Sequence, residues 1–308
     1  MPAPALKKNK HLTEISFAWN LLFMIIMIIA GFITLLPVLI IAMTSFSSSR
    51  SISEVGFSLL PIEWSLEGYY YLFRTGSQLG VSYLVSIGYA VLGTATSLVA
   101  MTLYAYVIAQ KSFYARKFYT WAIFFTMLFS GGLVPSYILN TRYLHIGNTF
   151  WIFIFPALAN AWSVIILRTF LKTAVPESLV ESARIDGAGH FTIFVKIVAP
   201  LMKAGVATIG LMGFVGRWND WFTAMLYNTN PRLIPLQTML QRLLSNLDFL
   251  RSNSSLSGTP DGVAFLRTLP NHNLRMACTM AVIIPILFAY PFFQRYFVRG
   301  MLVGSIKE

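Results

Sequence analysis

Apolar residues run along this chain in six long blocks, and most polar residues are gathered between them. The blocks cover residues 17–43, 81–109, 118–139, 150–167, 204–227 and 274–293. Each is long enough, as a helix rising ~1.5 Å per residue, to cross a hydrocarbon layer of ~30 Å. The pattern predicts an all-α integral membrane protein of six spans, organised as one domain over residues 1–308, with both termini on the same side. Two spans are interrupted: Gly131, Gly132 and Pro135 fall in the third, and Arg217, Asn219 and Asp220 in the fifth.

One stretch between spans, residues 176–201, follows a different rule. Proline at a helix start loses no hydrogen bond, so Pro176 predicts the beginning of a short helix. Gly187, a residue type that tolerates a left-handed cap, predicts its end. Leu179, Val180 and Ala183 then share one face, while Glu177, Glu181 and Arg184 share another, which describes a surface helix with something to dock against. The long loops 44–80 and 228–273 carry Phe57, Trp64, Leu233, Leu240 and Leu243. Such loops are expected to hold short helices against the membrane body.

Composition agrees with this picture. The chain is 56% apolar and only 11% charged, and its net charge is +12. In a soluble domain that charge would raise nucleic acid as a partner, but here the basic residues lie mainly between the apolar blocks. Membrane topology and anionic lipid headgroups account for the excess, and no nucleic acid partner is expected. The side holding the N-terminus has 14 of the 23 basic residues, including all nine lysines. The positive-inside rule makes that side, both termini and the 176–201 stretch cytoplasmic. The basic N-terminus leads into a long apolar block without a small-residue cleavage pattern, which predicts a retained first span. The single cysteine, Cys278, allows no internal disulfide and no cysteine-built metal cluster.

Every basic residue of the other side is arginine, whose planar fork suits carboxylates. Arg232, Arg242 and Arg251 in the second long loop therefore either meet an acidic solute or a docking partner's acidic rim, or lie at the lipid surface.

Some chemistry is missing. No glycine-rich loop followed by Lys-Ser or Lys-Thr is present to cradle a nucleotide phosphate. His11, His145, His190 and His272 are scattered without metal-binding spacing, and Asp220 is the one carboxylate near a span. A proton-coupled carrier would want more. No enzymatic centre or cofactor site is expected, so an energy source must come from a partner, and residues 176–201 are where it would dock.

Glu181-Ser182-Ala183, followed after three residues by Gly187 and then by Ile197 and Pro200, resembles the EAA loop of the permease subunits of ABC importers. The form Glu-Ser-Ala-Arg-Ile-Asp-Gly-Ala is similar to the carbohydrate-importer, maltose-permease-like branch. Trp218-Asn219-Asp220-Trp221 and the tail from Gln294-Arg295 through Arg299-Gly300 agree with it in order. Ser182 in place of alanine, Ala199 in place of leucine and a long second outer loop depart from the pattern. That loop looks more like the oligosaccharide branch.

The resemblance implies a type I importer permease in a bacterial inner membrane. It implies pairing with a second permease subunit, two ATPase subunits that bind ATP and Mg, and an external solute-binding protein that delivers an oligosaccharide, acidic or neutral. Helix 176–187 would be a coupling helix, with Glu181, Ser182, Ala183, Asp186, Gly187, Ile197 and Pro200 in the ATPase-facing motif. Gln294, Arg295, Arg299 and Gly300 would form a tail reaching the ATPase. Trp218, Asn219 and Trp221 either form a sugar-stacking wall or belong to an interfacial aromatic belt. Asn160 and Trp162 either face the path or pack helices. An importer of another solute, such as a peptide or phosphate, and an ATPase-independent channel or carrier are the competing readings.

Overall fold

The computed structural model describes residues 16–74, 77–252 and 272–305, without the side chains of 250, 251, 292, 293 and 295–305. Among the described residues the regular structure is helical, joined by short turns and one isolated antiparallel bridge, Ser47 with Trp64. In chain order the helices are α1 (Phe17–Ser45), α2 (Ser49–Val55), α3 (Glu67–Arg74), α4 (Ser77–Ala109), α5 (Arg116–Leu128), α6 (Leu133–Ile138) and α7 (Ala161–Ala174). They continue as α8 (Glu177–Ile185), α9 (His190–Ile193), α10 (Ala199–Leu201), α11 (Lys203–Trp218), α12 (Phe222–Tyr227), α13 (Leu236–Ser252) and α14 (His272–Ser305).

Three helices are long and apolar enough to cross a membrane: α1, α4 and the first part of α14. Two bent pairs raise the number to five, because α5 meets the 133–143 helix at 114° and the 190–201 helix meets α11 at 76°. The breaks fall where the residues require them. Gly132 has φ +86, a left-handed conformation that glycine adopts at little cost, and Pro200 removes one backbone donor just before the second bend. Residues 150–167, expected as one span, are instead two pieces. A 3-10 turn (Phe150–Phe153) comes first, and α7 begins only at Ala161, capped by Asn160 Oδ1 on the Ser163 N–H at 3.0 Å. The expected fifth span is likewise divided, ending as α11 at Trp218 and resuming as α12 at Phe222.

The described residues fall into two compact units. The first, 16–70 with 272–280, holds α1 and the short helices of the first long loop. It is tied by polar side chains: the Ser48 hydroxyl donates to Glu63 (2.6 Å), Ser45 and Tyr69 share a hydrogen bond (2.8 Å), and the Ser49 hydroxyl donates to Asn273 (2.8 Å). The central part of α1 is apolar all round and unburied, as a lipid-facing or partner-facing span must be.

The second unit takes in 71–74, 77–252 and 281–305. Its core joins Met101, Ala105 and Ile108 of α4, Val164, Leu167 and Leu171 of α7, and Ile193, Val198, Met202 and Ile209 around α11. Lipid is as apolar as these side chains, so close backbone approach has to supply the packing. The buried stripe of α4 accordingly includes Ser82, Ser86, Ala90, Gly93, Thr94, Ser97 and Ala105. Ser86 Oγ accepts the Leu236 N–H at 2.7 Å, and the Tyr83 hydroxyl donates to the Ala281 carbonyl at 2.8 Å.

Candidate functional site

Helix α8 is short, amphipathic and without a single fully buried residue. It starts one residue later than expected, because Pro176 is extended (ψ 133°) and acts as the cap; its carbonyl accepts the Leu179 N–H at 3.2 Å. The C-terminal end follows the expectation closely. Gly187 has φ +79, its N–H reaches the Arg184 carbonyl (3.0 Å), and the Ala188 N–H reaches the Ala183 carbonyl (2.9 Å). These two bonds make a Schellman cap, which fixes the exit of the chain.

Val180, Ala183 and Ala188 pack on the unit core, whereas Leu179 is exposed, so the docked face is narrower than the periodicity implied. The Arg184 guanidinium donates to Gln110 Oε1 (2.7 Å) and not to Glu181, and Lys111 pairs with Glu177 at 2.6 Å. Two bonds therefore strap α8 to the end of α4 and the turn that follows it. Glu181 makes no ion pair among the described residues, and it stands exposed beside Ser182, Asp186 and Ile185, which is 86% exposed. Behind the helix lies a cavity of ≈ 390 Å³ lined by Lys111, Arg116, Arg168, Lys172, Glu177 and Glu181.

The rest of the motif divides. Ile197 is half-buried and packs on the core, in a π-helical turn (Phe194–Val198), while Pro200 is exposed. Ile197 thus serves the packing of the segment and is turned away from the exposed surface that Glu181 presents. In the tail, Gln294 is exposed on α14; the side chains of Arg295 and Arg299, and Gly300, lie outside what the structure describes beyond their helical backbone.

A second cavity, of ≈ 550 Å³, opens between α4, α7 and α11 and is lined by Tyr89, Asn160, Trp162, Ser163, Arg217 and Asp220 among others. Asn160 and Trp162 both face it. The stretch Trp218-Asn219-Asp220-Trp221 does not act as one wall. Trp218 is 2% exposed, and its indole N–H donates to the Val282 carbonyl at 3.1 Å, so its ring is committed to helix packing and offers no stacking face. Asn219 accepts from Gln237 (3.1 Å), and Trp221 is half-exposed against Phe222. Of the four, only Asp220 lines the cavity. Arg217, Tyr89 and Ser163 were missed as site residues, although an arginine and an aspartate three residues apart inside a span were a visible signal.

On the other loop, Arg232 is exposed, Arg242 donates to the Asn228 carbonyl (3.2 Å) beside the end of α12, and the Arg251 side chain lies outside the described residues. Arg242 is therefore held by the fold, and the three arginines do not present one uniform patch. Among the described residues no cluster of His, Cys, Asp and Glu could hold a metal.

These features meet a known family. Residues 118–303 match the model of the binding-protein-dependent transport system inner membrane component. The polygalacturonan/rhamnogalacturonan transport system permease protein YtcP of Bacillus subtilis (strain 168) is 33% identical over 302 residues, 97% of this chain and 99% of that protein. Protein LplC of the same organism is 35% identical over 90% of each chain. A solved structure, of a bacterial ABC transporter involved in the import of the acidic polysaccharide alginate, superposes with a TM-score of 0.73 at 27% identity, covering 91% of this chain and 96% of its counterpart. With α8 and its Schellman cap inside the matched region, this chain belongs to the family of inner membrane components of binding-protein-dependent transport systems.

Proposed function

We propose that this chain is the permease subunit of an ATP-driven importer and forms half of the path for a short acidic oligosaccharide. One observation carries the coupling part of the reading: α8 leaves the Glu181 carboxylate exposed and without an ion pair among the described residues, while its neighbours Glu177 and Arg184 are tied inward. A rigidly capped helix with one uncommitted charge is what a cleft in a partner ATPase would grip. Shielded from water there, an ion pair with a basic residue is worth more than the ~0.2–1 kcal/mol of an exposed pair. Two ATPase subunits would hold ATP and Mg, a second permease subunit would complete the path, and an external binding protein would deliver the solute. Both termini and α8 would face the cytoplasm, in keeping with the lysine distribution.

The solute class follows from the relatives. One is named for polygalacturonan and rhamnogalacturonan transport and another takes part in import of alginate, and both names point to acidic sugars. Arg232, exposed on the second outer loop, would face the acidic rim of the binding protein.

The test uses the complex purified with its own partner chains. Glu181→Lys combined with Gly187→Trp is expected to abolish solute-stimulated ATP hydrolysis and uptake while the permease still reaches the membrane. Survival of both activities would sink the coupling assignment, and uptake of a peptide or phosphate in place of any oligosaccharide would sink the solute assignment.

A further inference from the structure

Arg217 lies in α11, inside the expected fifth span, yet it makes no ion pair among the described residues. Every acceptor it has is neutral: Nη2 donates to the Ser97 hydroxyl and to the Ala157 carbonyl (2.9 Å), and Nη1 to the Gly213 carbonyl (3.3 Å). Nη1 thus makes one of its two possible bonds, and the buried Nε makes none. Asp220, on the same cavity wall, is occupied elsewhere. Its Oδ2 accepts the Tyr89 hydroxyl (2.9 Å), and its Oδ1 accepts the backbone N–H groups of Phe222 (3.1 Å) and Thr223 (3.0 Å). Among the described residues lining the cavity, Arg217 and Asp220 are the two charges, and their hydrogen bonds go to neutral groups and not to each other, leaving more donors than acceptors unused.

Space has been cleared for this arrangement. A Cβ on Gly93 would stand 2.7 Å from Nε, and one on Gly213 would stand 3.0 Å from Nη1. A guanidinium inside an expected span with no directly bonded carboxylate is costly to maintain, and such residues mark solute pathways. The cavity of ≈ 550 Å³ that Arg217 lines is large enough for a sugar ring, and Trp162, 44% exposed, offers that ring a stacking face beside Asn160 and Ser163.

We infer that Arg217 is the carboxylate-reading residue of the translocation path, binding the uronate groups of the solute as they pass Trp162. The inference rests on the oligosaccharide reading above. A guanidinium at this position supplies planar donors that a carboxylate meets with opposite charge and two oxygens, whereas a primary alcohol offers one neutral oxygen.

The experiment uses the whole transporter in proteoliposomes with its binding protein. Uptake of short galacturonate oligomers is compared with that of the same oligomers after carboxyl reduction. Arg217→Gln is expected to lower uptake of the acidic oligomer about tenfold or more while the reduced oligomer changes less than about twofold. Arg217→Lys should keep part of the acidic preference. Equal losses on both solutes, as a purely structural tie to Ala157 would give, or no loss on either, would overturn the inference.

A second measurement leaves Arg217 intact in case the Gln variant does not assemble. Trp162→Cys in a Cys278→Ala background is labelled with a thiol reagent in the complete complex. Protection by the galacturonate oligomer but not by its reduced form supports the assignment; equal protection or none refutes it. Wild-type transport of reduced oligomers alone would refute the role of Arg217 and leave the importer standing. Transport of neither oligomer would refute the oligosaccharide reading itself.

Discussion

The Phe170 ring of α7 occupies the place where a side chain on Gly205 of α11 would begin: a Cβ there would come within 2.6 Å of Cδ1. The two helices meet through this contact, and the side chain that must give is a half-buried ring packed on the core. Gly205→Ala is expected to destabilise the permease by ~1–3 kcal/mol, and Gly205→Leu to prevent its accumulation in the membrane. Phe170→Ala combined with Gly205→Ala should recover much of the loss, which a thermal melt in detergent can read. A double variant no better than the single one would show that the contact does not limit the packing.

Gly68 makes a similar claim within the smaller unit. A Cβ at that position would meet the Asn273 carbonyl oxygen at 2.8 Å, backbone that cannot rotate away, whereas Gly80 has open space around it. Gly68→Ala should therefore lower the melting temperature clearly, while Gly80→Ala should leave it unchanged or raise it slightly, since alanine favours helix. The two variants measured side by side control for the substitution itself.

The two carboxylates of α8 should separate in their effects. Glu177 pairs with Lys111 at 2.6 Å on an exposed surface, so Glu177→Gln is expected to cost no more than ~1 kcal/mol of stability. Glu181→Lys should leave the melt unchanged and abolish retention of the ATPase subunits in a pull-down. Retention of those subunits by the Glu181→Lys permease would remove Glu181 from the contact.

Gly187 tests the cap. Nothing lies within 4 Å of a Cβ built there, yet φ is +79, so Gly187→Ala pays only for conformation, about 1 kcal/mol. The expected result is normal assembly with weaker coupling, seen as a lower ratio of solute uptake to ATP hydrolysed. Gly187→Asn, a residue that tolerates the same conformation, should behave closer to the wild type.

Trp218 and Trp162 should also part company. Trp218→Phe keeps the buried ring but removes the indole bond to the Val282 carbonyl, an interhelical bond of ~0.6 kcal/mol in membranes, and is expected to shift the melt slightly without changing solute preference. Trp162→Leu should slow uptake of all sugars while the melt stays put. Loss of stability in the second case would make Trp162 a packing residue.

Much of this was legible in the order of residues. Blocks of apolar sequence require helices in a solvent that cannot satisfy a backbone, which is why α1, α4 and α14 stand where the pattern put them. Pro176, Gly187 and the polar spacing between them act through local backbone chemistry, so α8 and its cap were also readable. The interruptions of the third span at Gly131, Gly132 and Pro135 and of the fifth at Arg217, Asn219 and Asp220 were readable too, but the bend angles, the break at Met202, the split at 154–160 and which residue of Trp218–Trp221 lines the cavity were not. They depend on which neighbour each turn meets: Trp218 is committed only because Val282 of α14 offers it a carbonyl.

The sequence alone determined that the chain spans a membrane, that it carries no nucleotide loop, and that one short amphipathic helix stands apart from the spans. Periodicity and local stereochemistry need no distant partner. Only the tertiary structure decided that Glu177 and Arg184 are tied inward while Glu181 has no ion pair among the described residues, and that Arg217 and Asp220 share a cavity without a direct bond. Those outcomes join residues 66, 74 and 120 positions apart through single hydrogen bonds, and a hydrogen bond is decided by ångström distances that no linear pattern encodes.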